Sequence, residues 1–428
     1  MMTFLPVLVM LVLMALNTHV AFAIGIAALT FFFTAQGVPQ EIFIQRMVSV
    51  TQSFPILAVP LFILAGILMN HSGMTRRMMA LADSLVGHMV GGLAQVNVIL
   101  SVLMGGMSGS SNADAAMQAK ILVPEMEAKG YGRAFSGAVT ATSSVIAPII
   151  PPGIGMVIYG FLADVSIGRL FLGGVIPGLL MGAALMVVVT LVSRRRGYLP
   201  AREAPATARE RGAALWSSLW ALGLPVGIIG GIRFGILTPT EAGAIAVIYA
   251  LFVGFVVYRE MKLADLPAIL SDATLSTAVI MLIICAAQAF GFYMSWERIP
   301  TIAGQALLSF TENPVLLLLA INLFLVLVGM LVEGTAALII LTPLLAPLAA
   351  SVGIDPVHFG IVMVVNLTIA AVTPPVGTLI YTTSTIIRCD IGSFVRESLP
   401  LLAALFAVLL LISLFPAIVL FLPNLLMS

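Results

Sequence analysis

Charge is what this sequence has least of. Of 428 residues, 19 are Lys or Arg and 18 are Asp or Glu, so 9% are charged, against about 25% in an ordinary soluble domain. A chain so poor in charge has too little polar surface to stay folded in water, which excludes a soluble enzyme. The formal net charge of +1 leaves no basic face for nucleic acid and no acidic tail. Cysteine is nearly absent. Cys285 lies in an apolar segment and Cys389 in a polar connection, so neither a disulfide nor a zinc site follows. His19, His71, His88 and His358 are scattered, which argues against metal ligation by imidazole. The N-terminal run has neither a basic region before it nor a small-residue cleavage site after it, and is expected to be a retained helix. The weak alternation of outer-membrane barrel strands is missing as well.

What remains is apolar length: 61% of the chain is hydrophobic, in long runs separated by short charged clusters, the pattern of an all-α polytopic membrane protein. The runs cover Thr3 to Leu16, Val20 to Phe33, Ile56 to Met69, Val90 to Leu103, Asn112 to Met126, Ala134 to Leu162 and Leu170 to Val192. An arginine-rich linker, 193–213, follows. Beyond it lie Ala214 to Ile232, Gly243 to Tyr258, Thr274 to Tyr293, Pro314 to Val328, Gly334 to Ala350, His358 to Ile387 and Leu399 to Leu422. The order of elements is the same in both halves, which predicts repeats over 1–192 and 214–428. A shift of 219 positions places Asp114 on Glu333 and Pro124 on Pro343, and a shift of 223 places Gly130 on Gly353 and Pro151-Pro152 on Pro374-Pro375. Acids and prolines are scarce within spans, so their alignment in order is more than apolar resemblance.

Two runs in each half are too short for a bilayer core, which needs about 20 helical residues. Each pair reads as a hairpin that enters and leaves on one side, over about 88–127 and about 314–350. The Pro-interrupted runs, about 134–162 and about 358–387, count as one broken crossing apiece. Five crossings per half then invert the second half relative to the first. With the linker inside, fourteen Lys and Arg are cytoplasmic and four, Arg46, Arg169, Arg233 and Arg298, are external, as the positive-inside rule requires. Both termini are expected outside.

Irregular backbone at membrane depth belongs where it lines a cavity or is buried in protein. The first hairpin tip, Gly105 to Asn112, offers carbonyls and the hydroxyls of Ser108, Ser110 and Ser111, hard oxygens suited to a sodium-sized cation. The returning half-helix offers free amides to an anion. Asp114 in its first turn reads either as a helix-dipole partner, the simpler case, or as a neutraliser near a cation. Glu333 has the same standing beside Gly329, Gly334 and Thr335. The double prolines free carbonyls mid-span, next to Thr140, Thr142, Ser143 and Ser144 in one half and Asn366, Thr368 and Thr373 in the other. The recurrence predicts two cation sites related by pseudo-symmetry with substrate between them. Glu241 after Thr238-Pro239-Thr240 reads as a helix cap, Arg233 as a partner for an acid or another subunit, and Trp216, Trp220 and Trp296 as interfacial anchors.

The strings GGMSGSSNADAAMQAKILVPEM, IAPIIPPGIGMVIYG, GILTPTEAGAIAVIYAL and GIDPVHFGIVMVVNLTIAAVTPPVGTLIY resemble the signatures of the large membrane subunit of tripartite ATP-independent periplasmic (TRAP) transporters, in that family's order. The resemblance implies an elevator-type carrier in a bacterial inner membrane, with a transport domain of hairpins and broken helices sliding on a scaffold. It implies sodium-driven uptake of an organic acid delivered by a periplasmic binding protein, and a separate small four-helix membrane subunit. Carried over by motif, one sodium site takes Ser108, Ser110, Ser111, Asn112 and Ser143, and the other Gly329, Glu333, Gly334, Asn366 and Thr373. Substrate contacts fall on Gly109, Ser144, Pro151, Pro152, Gly153, Thr335, Pro374, Pro375 and Gly377. The competing reading within transport is a carrier that works without a binding protein. A channel would show flux far above carrier rates. An intramembrane hydrolase would need a complementary catalytic pair, whereas Asp114 and Glu333 occupy equivalent places.

Overall fold

Backbone amides and carbonyls in lipid have no water to bond, so apolar runs of this length satisfy them internally as α-helices. The computed structural model describes residues 2–35, 37–302 and 313–427, and among these there is no strand. The first half contains α1 (Leu5–Ala15), α2 (Val20–Thr34), α3 (Glu41–Ser49), α4 (Ala58–His71), α5 (Met74–Val86), α6 (Gly92–Ser108), α7 (Ser111–Ala128), α8 (Arg133–Ser144), α9 (Ile154–Leu162) and α10 (Ile167–Arg196). The second contains α11 (Ala208–Arg233), α12 (Pro239–Phe252), α13 (Leu266–Trp296), α14 (Pro314–Gly329), α15 (Gly334–Ser351), α16 (Pro356–Ala370), α17 (Thr378–Ile387), α18 (Ile391–Leu414) and α19 (Pro416–Leu426). Seven helical stretches among the described residues are long and apolar enough to cross a membrane.

Three local expectations change. The apolar run Leu399 to Leu422 is two helices, divided at Phe415 because Pro416 cannot continue the hydrogen-bonded spiral. The first hairpin tip is shorter than Gly105 to Asn112: α6 stays helical through Ser108, and only Gly109 and Ser110 turn the chain. Gly109 takes φ +57°, the left-handed region that disfavours a side chain. Among the described residues Arg233 pairs with no acid; its Nε donates to the Leu426 carbonyl at 3.1 Å, and no second subunit is present to test the other expectation. The Glu241 cap is present, with Thr238 and Glu241 forming a reciprocal capping box on α12.

Packing between the halves is reciprocal. Helix α2 lies along α13 and α4 lies along α12; exchanging the equivalent helices of the two halves turns one contact into the other. The same exchange relates α7 on α17 to α15 on α9, and α8 on α18 to α16 on α10. The hairpins α6–α7 and α14–α15 and the broken helices α8–α9 and α16–α17 thus form one interleaved body. The pairs α2–α13 and α4–α12 form a second body against it.

The connection after α10 is pinned rather than loose. Tyr198 stacks on Tyr131 with ring centroids 4.3 Å apart, its hydroxyl accepts from the Gly132 amide at 3.2 Å, and its carbonyl accepts from Gly91 at 3.3 Å. The Tyr131 hydroxyl donates to the Leu199 carbonyl at 3.1 Å. The amides of Ala201 and Arg202 both donate to Gly87 O, at 2.8 and 3.0 Å. These bonds strap the linker across the two roots of the first hairpin.

Candidate transport site

Both hairpin tips and both helix breaks converge. A cavity of about 740 Å³ is lined by Gly109, Ser110, Ser111 and Asn112 from the first tip and by Glu333, Gly334 and Thr335 from the second. Pro148, Thr368 and Thr378 from the broken helices and Ile280 from α13 complete its polar and apolar walls. It adjoins a larger cavity of about 1320 Å³ that shares Ser110, Asn112, Glu333 and Thr335 and extends past Asn70 and Ser276 to His19. Among the described residues none that lines either cavity is Lys or Arg.

Each tip rests on the break of its own half. At Gly109 an added Cβ would lie 3.0 Å from the Pro152 carbonyl oxygen, so the tip backbone sits directly on the first break. At the second, the Gly377 amide donates to Met330 O at 3.2 Å. The peptide bonds Pro151–Pro152 and Pro374–Pro375 are both cis. On the other side, Gly66 of α4 lies against the Met107 and Ser108 carbonyls, each 3.2 Å from where a Cβ would stand. The absent side chain lets the two bodies touch at the tip.

The helix N-termini at the tips differ. Helix α7 is capped by a neutral group, the Ser110 hydroxyl accepting from Ala113 at 3.4 Å. Helix α15 is capped by an anion, since the Glu333 carboxylate accepts from the Ala336 amide and the Thr335 hydroxyl, each at 2.9 Å. The protein thus supplies an acid at both positive ends, Glu333 at the cap of α15 and Asp114 in the first turn of α7.

The expected ligands divide. The cavities collect Ser108, Gly109, Ser110, Ser111, Asn112, Glu333, Gly334 and Thr335. Ser143, Ser144, Pro151, Pro152, Gly153, Gly329, Asn366, Thr373, Pro374, Pro375 and Gly377 are not among the lining residues. The hydroxyls of Ser144 and Thr373 donate to backbone one turn earlier, to Ala141 O and Ile369 O. Ser143 belongs to a fully buried cluster instead. It donates to Asn97 Oδ1 at 2.9 Å and lies 3.0 Å from Ser101 Oγ. Ser101 and Gln118 both donate to Asp114 Oδ2 at 2.8 Å. Asp114 is 1% exposed, and among the described residues its other oxygen has no partner. The counterpart in the second half is Asn366, onto which the 223-residue shift carries Ser143. Its amide donates to the carbonyl and side chain of Asn322 at 2.9 Å each, and Asn322 donates to Ser413 at 2.8 Å.

Asn97, Ser101, Gln118 and Asn322 were not singled out from sequence. Their signal was available: an amide, hydroxyl or acid repeating at i and i+4 in Asn97–Ser101 and Asp114–Gln118, on apolar helices where each polar group needs a partner. Among the described residues the oxygens Ser108 Oγ, Asp114 Oδ1 and Gln118 Oε1 in the first half and Asn366 Oδ1 in the second are buried without hydrogen-bond partners, each an oxygen of the kind hard cations take. Among the described residues no three His, Cys, Asp or Glu side chains group as a metal site.

A family model described as "Tripartite ATP-independent periplasmic transporter, DctM component" matches residues 7–418. The sialic acid TRAP transporter large permease protein of Vibrio cholerae is 41% identical over 406 residues, 95% of each chain. The 2,3-diketo-L-gulonate TRAP transporter large permease protein of Escherichia coli is 37% identical, again over 95% of each. The C4-dicarboxylate TRAP transporter large permease protein of Pseudomonas aeruginosa is 38% identical over 89% of this chain and 88% of its own. In fold, the chain is similar to the YdaH transporter of Alcanivorax borkumensis, with a TM-score of 0.64, 16% identity and coverage of 97% and 98%. A match to the family model along nearly the whole chain, and relatives this similar over nearly their full length, place the protein in the DctM family: it is a TRAP transporter large permease subunit, a membrane transport protein and not an enzyme.

Proposed function

We propose that the chain imports an organic acid across a bacterial inner membrane by sodium symport, working with a periplasmic binding protein and a small four-helix membrane subunit. The observation that carries the coupling is the charge of the central cavity, which has the Glu333 carboxylate in its wall and no Lys or Arg. A second carboxylate 4 Å from Glu333 would be repelled by about 4 kcal/mol at an effective dielectric of 20. A bound cation supplies the missing positive charge. Ser108, Ser110, Ser111, Asn112 and Ser143 would hold one sodium ion, and Gly329, Glu333, Gly334, Asn366 and Thr373 the other. The acid would lie between the two tips, against Gly109 and Thr335, which line the cavity.

The reciprocal helix contacts support two inverted repeats, 1–192 and 214–428, and the interleaved body of hairpins and broken helices supports an elevator in which it slides past α2, α4, α12 and α13. The names of the relatives point to sialic acids, keto-sugar acids and C4-dicarboxylates as the substrate class. The test is uptake into proteoliposomes holding this chain, its small subunit and its binding protein. Accumulation should follow an imposed inward sodium gradient and vanish when potassium replaces sodium. Gradient-independent accumulation would refute coupling, and equal uptake by this chain alone would identify a carrier that needs no binding protein.

A further inference from the structure

The seam between α13 and α15 opens at one end into a third cavity of about 900 Å³, lined by Arg46, Leu162, Gln288, Ser295, Trp296 and Pro343 among others. Arg46 comes from α3, its guanidinium carbon 4.9 Å from the centre of the Phe292 ring. Among the described residues the side chains of Arg46, Gln288 and Ser295 have no hydrogen-bond or ion-pair partner. Three polar groups thus face one opening with their bonding capacity unspent. Arg46 is also the one Lys or Arg among the residues lining this cavity and the two central ones. Helix α13 joins the spaces: Ser276, Ile280 and Ile283 line a central cavity and Ala287, Gly291 and Ser295 the outer one. Their spacing of three or four residues puts them on one face of the helix. From Ile280 to Gln288 the rise is about 12 Å.

We infer that this outer cavity is an anion vestibule in which the Arg46 guanidinium receives the substrate carboxylate, with Gln288 and Ser295 donating to the same acid, before it reaches the hairpin tips. The inference rests on the carrier reading above and extends it to the path. A fixed cationic side chain in the central cavity, unlike a sodium ion that leaves with the acid, would hold the acid too firmly to release. The same charge at the mouth, half in water, concentrates anions and lets them go. The guanidinium fork matches a carboxylate or sulfonate in two bonds, which an ammonium group does not.

The test reads the vestibule without requiring turnover. The chain with its small subunit is placed in nanodiscs, with Cys285 and Cys389 changed to Ser and Ser295→Cys as the reporter. Labelling rates are compared for an anionic reagent, 2-sulfonatoethyl methanethiosulfonate, and a cationic one, 2-(trimethylammonium)ethyl methanethiosulfonate. Arg46→Gln should lower the anionic-to-cationic rate ratio at least about threefold, since loss of one nearby unit charge slows the anionic reagent and speeds the cationic one. Succinate, sialic acid or isethionate at about 50 mM, against sodium chloride of equal ionic strength, should slow labelling of the Arg46 protein and not of the Gln variant. In uptake with the binding protein, Arg46→Gln should raise KM several-fold and leave kcat unchanged. An unchanged rate ratio, or no protection by any of the three acids, would overturn the vestibule. Weaker capture of the binding protein by Arg46→Gln, with labelling unaffected, would also overturn it, by assigning Arg46 to protein docking. A chain that shows the Arg46-dependent ratio yet accumulates no acid would leave the vestibule standing and remove the carrier reading instead.

Discussion

Single atoms decide how the tips are built. Gly109 holds a left-handed φ with the Pro152 carbonyl just beyond it, so Gly109→Ala adds both backbone strain of about 1–2 kcal/mol and a tight contact at the break. Uptake should fall by an order of magnitude or more while the protein still assembles, which size-exclusion profiles and transport assays separate. Asp114 poses a different question, because its buried free oxygen needs a neutralising partner. Asp114→Asn keeps the shape and both bonds to Oδ2's position. If the carboxylate serves a bound cation, the sodium concentration for half-maximal uptake should rise at least tenfold, and an unchanged sodium dependence would reduce Asp114 to a packing residue. These residues are unevenly legible in the sequence. Glycine, serine and the acids at the tips are conspicuous in an apolar chain, whereas Asn97, Ser101 and Asn322 are defined by what they touch on other helices, and a linear pattern carries no such information.

Helices longer than the bilayer needs, and runs interrupted by proline, were legible because composition alone marks them. Helices α3 and α5 were not, since EIFIQRMVS and MTRRMMALADSLV mix charge with apolar residues and read as connections in a search for apolar runs. Their 3.6-residue periodicity was the available signal. Helix α5 is held where it leaves α4: Arg77 donates to Glu260 at 2.8 Å and stacks over the Tyr258 ring at 3.6 Å. The strap over the first hairpin makes a stability prediction at this scale. Tyr198→Ala removes a ring stack and the acceptor for the Gly132 amide, together about 1–3 kcal/mol, and should lower the midpoint of thermal unfolding with little change in the sodium dependence of uptake. The strap ends at α11, where the amide and hydroxyl of Thr207 hold the Glu210 carboxyl below its ordinary range. A depressed carboxylate pKa makes the cap's contribution present at neutral pH and lost only as pH falls through that lowered value. Opening of this helix end, followed by amide exchange at Glu210, should therefore stay unchanged through mild acid.

At the scale of the molecule, the claim that two bodies slide is testable with two cysteine pairs. A Cβ on Gly291 of α13 would lie 4.0 Å from Cβ of Pro343 on α15, across the seam. A Cβ on Gly25 of α2 would lie 3.8 Å from Cβ of Ala286, within the α2–α13 pair. Both separations are within reach of a disulfide. In a background with Cys285 and Cys389 changed to Ser, oxidising Gly25→Cys/Ala286→Cys should leave uptake intact, while oxidising Gly291→Cys/Pro343→Cys should stop it until a reductant is added. Uptake that survives the seam cross-link would refute sliding.

The linker strap also bears on whether the polypeptide needs to be one piece. Tyr198 to Arg202 are fastened to the first hairpin, Ala206 is buried and Thr207 opens α11, so only three exposed residues, Glu203 to Pro205, join the halves without belonging firmly to either. Two genes, one ending after Glu203 and the other starting near Ala206, would encode fragments that recover every interleaved contact on meeting. Such a split protein could be assembled from separately labelled halves, placing isotopes or probes in one repeat while the other stays silent.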